Sequence, residues 1–235
     1  MTASESPLRV DWLGSVPYGE ALELQREALE ARIAREQGDR LLLLEHPPVI
    51  TLGRSARNEN LLVPPDELAR RGIELHRVAR GGDVTYHAPG QLVGYPIIDL
   101  KARGTPDVHA YLRTLELGLI EAAKTMGVAA RRVEGRTGVF IDSARTSDPS
   151  ADPNAAPDRK LASIGVGLRR WVTQHGFALN VTLDLAGFEA IVPCGLSDVA
   201  MTSLAVELES PTDAHDVLMV RTRDVVASVF QRLFA

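Results

Sequence analysis

The chain has 235 residues, enough for one large domain or two small ones. Its net charge of −5 argues against a general affinity for nucleic acid. It has no apolar run of roughly 18 residues and no basic, then apolar, N-terminal stretch, so we expect neither a membrane helix nor a secretory signal. A single cysteine cannot form an internal disulfide, which fits a cytoplasmic location.

Hydrophobic periodicity and turn residues predict the first elements: a helix at 18–36, strands at 40–46 and 49–53, a short helix at 64–72, and strands at 73–79 and 92–100. The clearest helix covers 105–127, with Thr105 as N-cap and Gly127 at its end. The later predicted elements are strands at 128–133 and 138–142, a solvated loop at 143–159, strands at 160–170 and 171–185, and a helix from about Thr212 to Leu233.

This mixture of strands and helices predicts the α/β (α+β) class, with a mixed, largely antiparallel sheet flanked by helices. We find neither repeats nor a linker between domains, so the sequence indicates one catalytic domain over residues 1–235. We expect a monomer.

The polar stretch "RGGDVTYHAPGQ" (80–91) lies between two predicted strands. Its paired glycines, Gly81 and Gly82, let the backbone approach a ligand closely, and donors and acceptors surround them. The stretch matches neither a P-loop nor a dinucleotide fingerprint. On local sequence alone, a tight hairpin with the glycines at its tip is the favoured interpretation, since paired glycines are a common hairpin signal.

Only three of the 26 basic residues are lysines, so each lysine is a candidate for chemistry that arginine cannot do. Arginine keeps its proton, whereas lysine can release one. Lys160 begins the strand-like run "KLASIG" and is one of the three. A cation at a strand edge is the simpler interpretation, and a proton-transfer role requires burial or an anionic partner.

His175, in "TQHGFALN", can be a base, a ligand or a strand residue, and Gly176 beside it favours close backbone approach. The histidines do not show metal-ligand spacing, and we expect neither a metal nor another cofactor. Cys194 lies between Pro193 and Gly195, which indicates a turn rather than a buried strand. A cysteine at a turn, with a cation nearby to lower its pKa, can act as a nucleophile.

Four segments together resemble the lipoyl(octanoyl) transferase family: "TLGRSARNENLL" (51–62), "RGGDVTYHAPGQLVGYPIIDL" (80–100), "KLASIGVGLRRWVTQHGFALNV" (160–181) and "FEAIVPCGLSDVAMTSL" (188–204). Each segment alone is weak evidence for the resemblance, but all four in the same order are specific to this family. The resemblance implies transfer of an octanoyl group from acyl carrier protein to a lysine of a lipoyl domain. Acceptors of this kind are the 2-oxoacid dehydrogenase complexes and the glycine cleavage H protein. The implied fold is that of the biotin and lipoate protein ligases.

The resemblance also implies a cysteine–lysine dyad, with Cys194 as the nucleophile that carries the acyl thioester and Lys160 as the general acid and base that lowers the pKa of the thiol. His175 is the competing candidate for the base. The residues that the resemblance assigns to the acyl pocket are Arg80, Gly81, Gly82, Asp83, Val84, Thr85, Tyr86, His87, Ser163, Ile164, Gly165, Gly176, Phe177 and Ala178.

Two features depart from the family pattern. Ala88 stands where the family usually has glycine, which costs on the order of 1 kcal/mol if the position needs a positive φ. The loop before Lys160 is also longer than usual. Three other functions remain open: an ATP-dependent lipoate–protein ligase, which needs no nucleophilic cysteine, a non-catalytic acyl- or carrier-binding module, and a cysteine hydrolase that uses Cys194 and His175.

Overall fold

A computed structural model describes residues 7–141, 158–195, 199–208 and 215–235, with the side chains of Cys194 and His215 excepted. Within these ranges, no helix combines the length and the apolar character that crossing a membrane requires. The strands are β1 (Arg9–Ser15), β2 (Arg40–Glu45), β3 (Val49–Leu52), β4 (Glu74–Arg77), β5 (Val84–His87), β6 (Gln91–Ile97), β7 (Ala130–Arg131), β8 (Val139–Ile141), β9 (Asp158–Arg169), β10 (Val172–Asn180) and β11 (Val199–Met201). The helices are α1 (Tyr18–Ile33), α2 (Pro65–Arg70), α3 (Val108–Thr125), α4 (Leu204–Glu207) and α5 (His215–Leu233), and short 3₁₀ turns cover Asn58–Asn60, Leu185–Ala190 and Pro193–Gly195.

The larger sheet has the strand order β1-β2-β6-β10-β9-β8-β7, and β11 also pairs with β9. The pairs β1–β2 and β11–β9 are parallel and the other pairs of this sheet are antiparallel. A smaller sheet has the order β4-β3-β5. The predicted α/β class with a mixed, mostly antiparallel sheet is therefore confirmed, while the separate small sheet was not predicted.

Helices cover both faces of the larger sheet, because its apolar strands must be buried on each side. On one face α3 and α5 enclose the main core, in which Leu115 and Phe230 are fully buried beside sheet residues such as Phe177. On the other face α1 packs against a smaller apolar cluster that includes Ala21, Val93, Tyr95 and Ala178. The cavity described below lies on this second face.

The boundaries of several elements differ from the sequence expectations. Helix α1 ends at Ile33, because Arg35 takes a left-handed φ of 62° before Gly38 is reached. The N-cap of α3 is Asp107 and not Thr105, since its carboxylate accepts the backbone N–H groups of His109 and Ala110. The loop predicted at 143–159 lies outside the described residues except for 158 and 159, which begin β9, and the helix start predicted near Thr212 also lies outside them.

The Ala88 substitution carries no backbone strain. In the described ranges, positive φ occurs at four residues other than glycine, and Ala88 is not one of them. Gly90 takes the left-handed conformation instead, with a φ of 91°. The cost considered for alanine at position 88 therefore does not arise.

Candidate active site

A small cavity of about 50 Å³ lies between the two sheets and the start of α1. Its floor belongs to β6, β9 and β10 of the larger sheet, and its opposite wall to β5 and the loop before it. The lining residues are Tyr18, Arg80, Gly82, Asp83, Val84, Thr85, His87, Val93, Tyr95, Ser163, Ile164, Gly165, His175, Gly176, Phe177 and Ala178. Of the fourteen residues assigned to the acyl pocket from the sequence, only Gly81 and Tyr86 are outside this lining.

Small residues on neighbouring strands make the floor of the cavity. Ser163 pairs with Ala178, and Gly165 pairs with Gly176, across the β9–β10 ladder. A Cβ atom at Gly165 would come within 2.9 Å of the Gly81 carbonyl oxygen, so only glycine lets the "RGG" backbone lie this close to β9. The backbone N–H of Gly81 donates to the Val166 carbonyl at 2.8 Å, which explains why Gly81 supports the cavity without lining it.

Arg80 is buried and joins the cavity wall to the smaller sheet. Its guanidinium donates to the Thr51 carbonyl at 2.7 Å and to the Thr51 hydroxyl at 2.8 Å. Beside it, a Cβ atom at Gly53 would stand 2.3 Å from the Gly82 carbonyl oxygen, so the two glycine-bearing loops are in direct contact. Arg80 therefore holds the "RGG" segment in place rather than projecting into solvent.

Lys160 is almost completely buried, with 2% of its surface exposed. It lies near the start of β9, three residues before Ser163, and pairs with Phe140 of β8 and Met201 of β11. Its ammonium group donates to the Thr137 carbonyl at 3.2 Å and lies 5.4 Å from the centre of the Phe140 ring. A lysine is almost never fully buried as a strand-edge cation, so the simpler interpretation of this residue is wrong.

A buried carboxylate supports the backbone that contacts Lys160. Glu116, on α3, is fully buried and accepts the backbone N–H of Gly138 at 3.1 Å and a guanidinium N–H of Arg113 at 2.5 Å. Gly138 directly follows Thr137, whose carbonyl accepts the Lys160 ammonium. Sequence reasoning missed Glu116, because a glutamate on an amphipathic helix normally faces solvent.

The turn that contains Cys194 is docked against the cavity wall. The Cys194 side chain lies outside what the structure describes, but its neighbour Gly195 has a φ of 67°, and a Cβ atom there would be 2.9 Å from Asp83 Oδ2. The Asn60 side chain donates to the same Asp83 oxygen at 2.6 Å, and the Asn60 backbone carbonyl accepts the Val192 N–H at 2.9 Å. Asp83 and Asn60 thus hold the turn beside the "RGGD" segment, and Asn60 was not predicted.

His175 lines the cavity in a strained backbone conformation, with a φ of 56°. Its backbone N–H donates to Gln25 Oε1 at 2.9 Å, whereas its buried Nδ1 has no hydrogen-bond partner among the described residues. Burial, together with the positive charges of Arg80 and Arg54, lowers the pKa of His175 to about 4. The ring is therefore neutral at pH 7.

A cluster of rings that the sequence did not reveal closes another part of the cavity. Tyr18 lies 5.0 Å from His46 and 6.2 Å from His87, measured between ring centroids. His46 is fully buried and bonds the Tyr95 hydroxyl at 2.7 Å. Burial lowers the pKa of His46 to about 4. Tyr86 faces the other way and packs edge-on against Phe188.

The described residues contain no group of three histidine, cysteine or acidic side chains that could hold a metal ion. Instead, the arrangement combines a narrow cavity floored by small residues, a buried lysine and a docked cysteine-bearing turn. Such a site can hold an apolar chain away from water and present its end to nucleophilic chemistry.

Comparison with protein families matches residues 17–224 to the lipoyl protein ligase A/B catalytic domain. A protein named octanoyltransferase from Acidobacterium capsulatum is 46% identical over 228 residues, covering 94% of this chain and 88% of the relative. A second octanoyltransferase, from Syntrophotalea carbinolica, is 51% identical over 192 residues, covering 82% of this chain and 80% of the relative.

Solved structures with the same fold include a lipoate-protein ligase A bound with ATP, with a TM-score of 0.63 and 18% identity, covering 97% of this chain and 85% of that one. The putative lipoate protein ligase Ta0514 from T. acidophilum matches with a TM-score of 0.64 and 17% identity, covering 97% and 85%. At these identities the likeness concerns the fold alone, and it agrees with the fold expected from the sequence.

Proposed function

The chain belongs to the lipoyl protein ligase A/B catalytic domain family, and from that premise we propose that it is an octanoyltransferase. In this proposal an octanoyl group leaves acyl carrier protein, is held as a thioester on Cys194, and passes to a lysine of a lipoyl domain. The acceptors are lipoyl domains of 2-oxoacid dehydrogenase complexes and the glycine cleavage H protein. The reaction is an acyl transfer and uses neither ATP nor a metal.

The observation that carries the proposal is the burial of Lys160 on β9, the strand that also lines the cavity. The lysine is 2% exposed and shares β9 with the cavity residues Ser163 and Gly165. The Cys194 turn is held against Asp83 on the opposite wall of the same cavity. The relatives named octanoyltransferase, at 46% and 51% identity, support the same function.

The first half-reaction exchanges one thioester for another. The Cys194 thiolate attacks the carbonyl carbon of the donor thioester, the carbon–sulfur bond to the carrier breaks, and the leaving thiolate takes a proton from the Lys160 ammonium. Because a free cysteine is only a few per cent thiolate at neutral pH, a nearby cation is needed to stabilise its charged form. The exchange is nearly balanced in free energy, so it requires no further driving force.

The second half-reaction forms an amide. The acceptor lysine attacks the enzyme thioester as a neutral amine, its proton passes to neutral Lys160, and Cys194 leaves as the thiolate. His175 is a poor candidate for this base, because its pKa of about 4 lies far below that of an alkylammonium group, near 10.4.

The cavity provides the binding energy for the acyl chain. Burial of seven carbons contributes at most about 5–6 kcal/mol, at about 0.8 kcal/mol for each. In this proposal the chain lies against the small floor residues Gly165, Gly176 and Ala178. Tyr18 and Val93 belong to the same lining and extend the assignment made from the sequence.

Mass spectrometry of the intact protein tests the proposal. Incubation with octanoyl-acyl carrier protein should add one octanoyl mass that hydroxylamine removes, and a lipoyl domain added next should receive it. Cys194→Ala should abolish both steps. Transfer that requires ATP and free octanoate would instead identify a ligase, and release of octanoate without an acceptor would identify a hydrolase. Wild-type transfer by Cys194→Ala would contradict the thioester route.

A further inference from the structure

A chain of buried side-chain hydrogen bonds runs from the cavity wall to the strand beside Lys160. His87 Nδ1 lies 2.7 Å from Gln91 Oε1, and Gln91 Nε2 lies 2.9 Å from Asn180 Oδ1. Asn180 Nδ2 then donates to the Thr202 carbonyl at 2.8 Å. Gln91 and Asn180 are each 1% exposed and do not line the cavity.

The direction of every bond in this chain is fixed by backbone carbonyls, which only accept hydrogen bonds. The Thr202 carbonyl requires the Asn180 amide nitrogen to face it, so the Asn180 oxygen faces Gln91. Gln91 Nε2 donates to that oxygen and also to the Tyr86 carbonyl at 3.3 Å. The Gln91 oxygen must then face His87, and His87 Nδ1 must carry the proton.

The far end of the chain reaches the backbone of Lys160. Thr202 directly follows β11, and its N–H donates to the Lys160 carbonyl at 3.0 Å. In β11, Met201 pairs with Lys160, and the strand begins five residues after Cys194. Asn180 therefore bonds the residue that directly follows β11, and this residue also bonds the Lys160 backbone.

Resting on the proposed octanoyl transfer, we infer that Gln91 and Asn180 are positioning residues. They hold His87 in the tautomer with Nδ1–H and a lone pair on Nε2, and they tie the cavity wall to the strand beside Lys160. Burial, with a contribution from His46, lowers the pKa of His87 to about 3, so the ring holds a single proton at pH 7. An acyl chain that contacts His87 is thus linked to the placement of Lys160.

Nitrogen NMR of the full chain tests the tautomer without any assay of activity. At pH 7 the His87 signals, assigned by comparison with His87→Gln, should show a protonated Nδ1 and an unprotonated Nε2. Gln91→Leu, which keeps the size and removes the acceptor, should give a mixture of tautomers. A wild-type ring protonated on Nε2, or an unchanged spectrum in Gln91→Leu, would overturn the inference.

Steady-state kinetics test the link to Lys160. Asn180→Leu should lower kcat for octanoyl transfer by about ten-fold or more, with KM for the donor changed by less than about three-fold. The matched control is Thr173→Val on the same strand, which loses buried bonds to Pro96 and Ile98. This control should lower Tm and leave kcat within about two-fold of wild type.

The double variant Gln91→Leu/Asn180→Leu should lose no more kcat than the more damaging single variant, because either substitution alone already interrupts the hydrogen-bond chain. If Asn180→Leu does not fold, Asn180→Asp carries the same expectation, because it keeps the size and removes the donor to Thr202. Additive losses, or a kcat for the Asn180 variants equal to that of Thr173→Val, would refute the positioning role. If wild-type enzyme transfers no octanoyl group, the proposed function fails instead, and the NMR result still decides the state of His87.

Discussion

Gly138 lies directly against Lys160: a Cβ atom at position 138 would stand 2.7 Å from Lys160 Cε and 3.2 Å from its Nζ. Gly138 also has a φ of 132°, outside the range that other residues adopt readily. The pocket for the lysine side chain therefore depends on the absence of a side chain in the neighbouring strand segment.

Gly138→Ala should displace the Lys160 ammonium and lower kcat for octanoyl transfer by about ten-fold or more, because a shift of about 1 Å in a catalytic group can cost as much as 100-fold. The matched control is Gly135→Ala. Gly135 also has a positive φ, 74°, but nothing lies within 4 Å of a Cβ there. The Gly135→Ala variant should lose about 1 kcal/mol of stability and keep the wild-type kcat. Equal kcat values for the two variants would contradict the packing argument.

Replacement of Lys160 should lower kcat much more than replacement of His175. Lys160→Arg keeps the charge but cannot give up its proton, and we expect kcat to fall by about 100-fold or more. His175→Asn keeps a residue that tolerates a positive φ and should lower kcat by less than about ten-fold. Single-turnover transfer from the preformed acyl enzyme measures this step directly. A larger loss in His175→Asn than in Lys160→Arg would make His175 the base.

Ala178 should limit the length of the acyl chain. Ala178→Val adds two methyl groups to the cavity floor, and the ratio of kcat/KM for octanoyl over butyryl donors should fall by about ten-fold or more. Ala162→Val, on the neighbouring strand, enlarges a residue of the main core instead. That control should lose about 1–3 kcal/mol of stability without a change in the ratio. An unchanged ratio in Ala178→Val would remove Ala178 from the acyl site.

The buried histidines should make the protein sensitive to mild acid. Because the pKa of His175 is about 4 in the folded chain and near 6.5 when unfolded, only the unfolded chain binds this proton between those values. This contribution to stability is complete above pH 6.5 and is lost as pH falls, with a slope of about 1.4 kcal/mol per pH unit. Urea unfolding at pH 6 and pH 5 should therefore show a shallower loss in His175→Asn than in wild type. The exposed control His109→Asn should keep the wild-type slope, and identical slopes in both variants would refute the assignment.

The sequence predicted most of the strands that bury apolar runs, such as β2 and β6, because continuous hydrophobic residues have few other placements. It missed β1, an edge strand in which charged residues interrupt the pattern. It also missed β5, since the side chains of Thr85 and His87 are polar and yet buried against the cavity. A polar residue in a buried strand contradicts simple alternation wherever the strand lines a site.

The candidate site followed the same rule. The glycine-bearing loops, Lys160 and the Cys194 turn each lie in a short sequence motif, and these motifs together predicted the site. Asn60, Glu116 and Asn180 could not be predicted, because each makes a buried hydrogen bond to a partner 22 or more residues away in the chain. Their roles depend on tertiary contacts that no local pattern encodes.

Two strands pair with β9 at Lys160, and this has a consequence for the length of the connection between β8 and β9. Phe140 of β8 and Met201 of β11 flank the lysine, so strands on either side hold its backbone position. Closing a longer loop costs only about 0.6 kcal/mol for each doubling of its length. A longer connection between β8 and β9 should therefore cost little folding free energy, because the two strand pairings hold the backbone at Lys160.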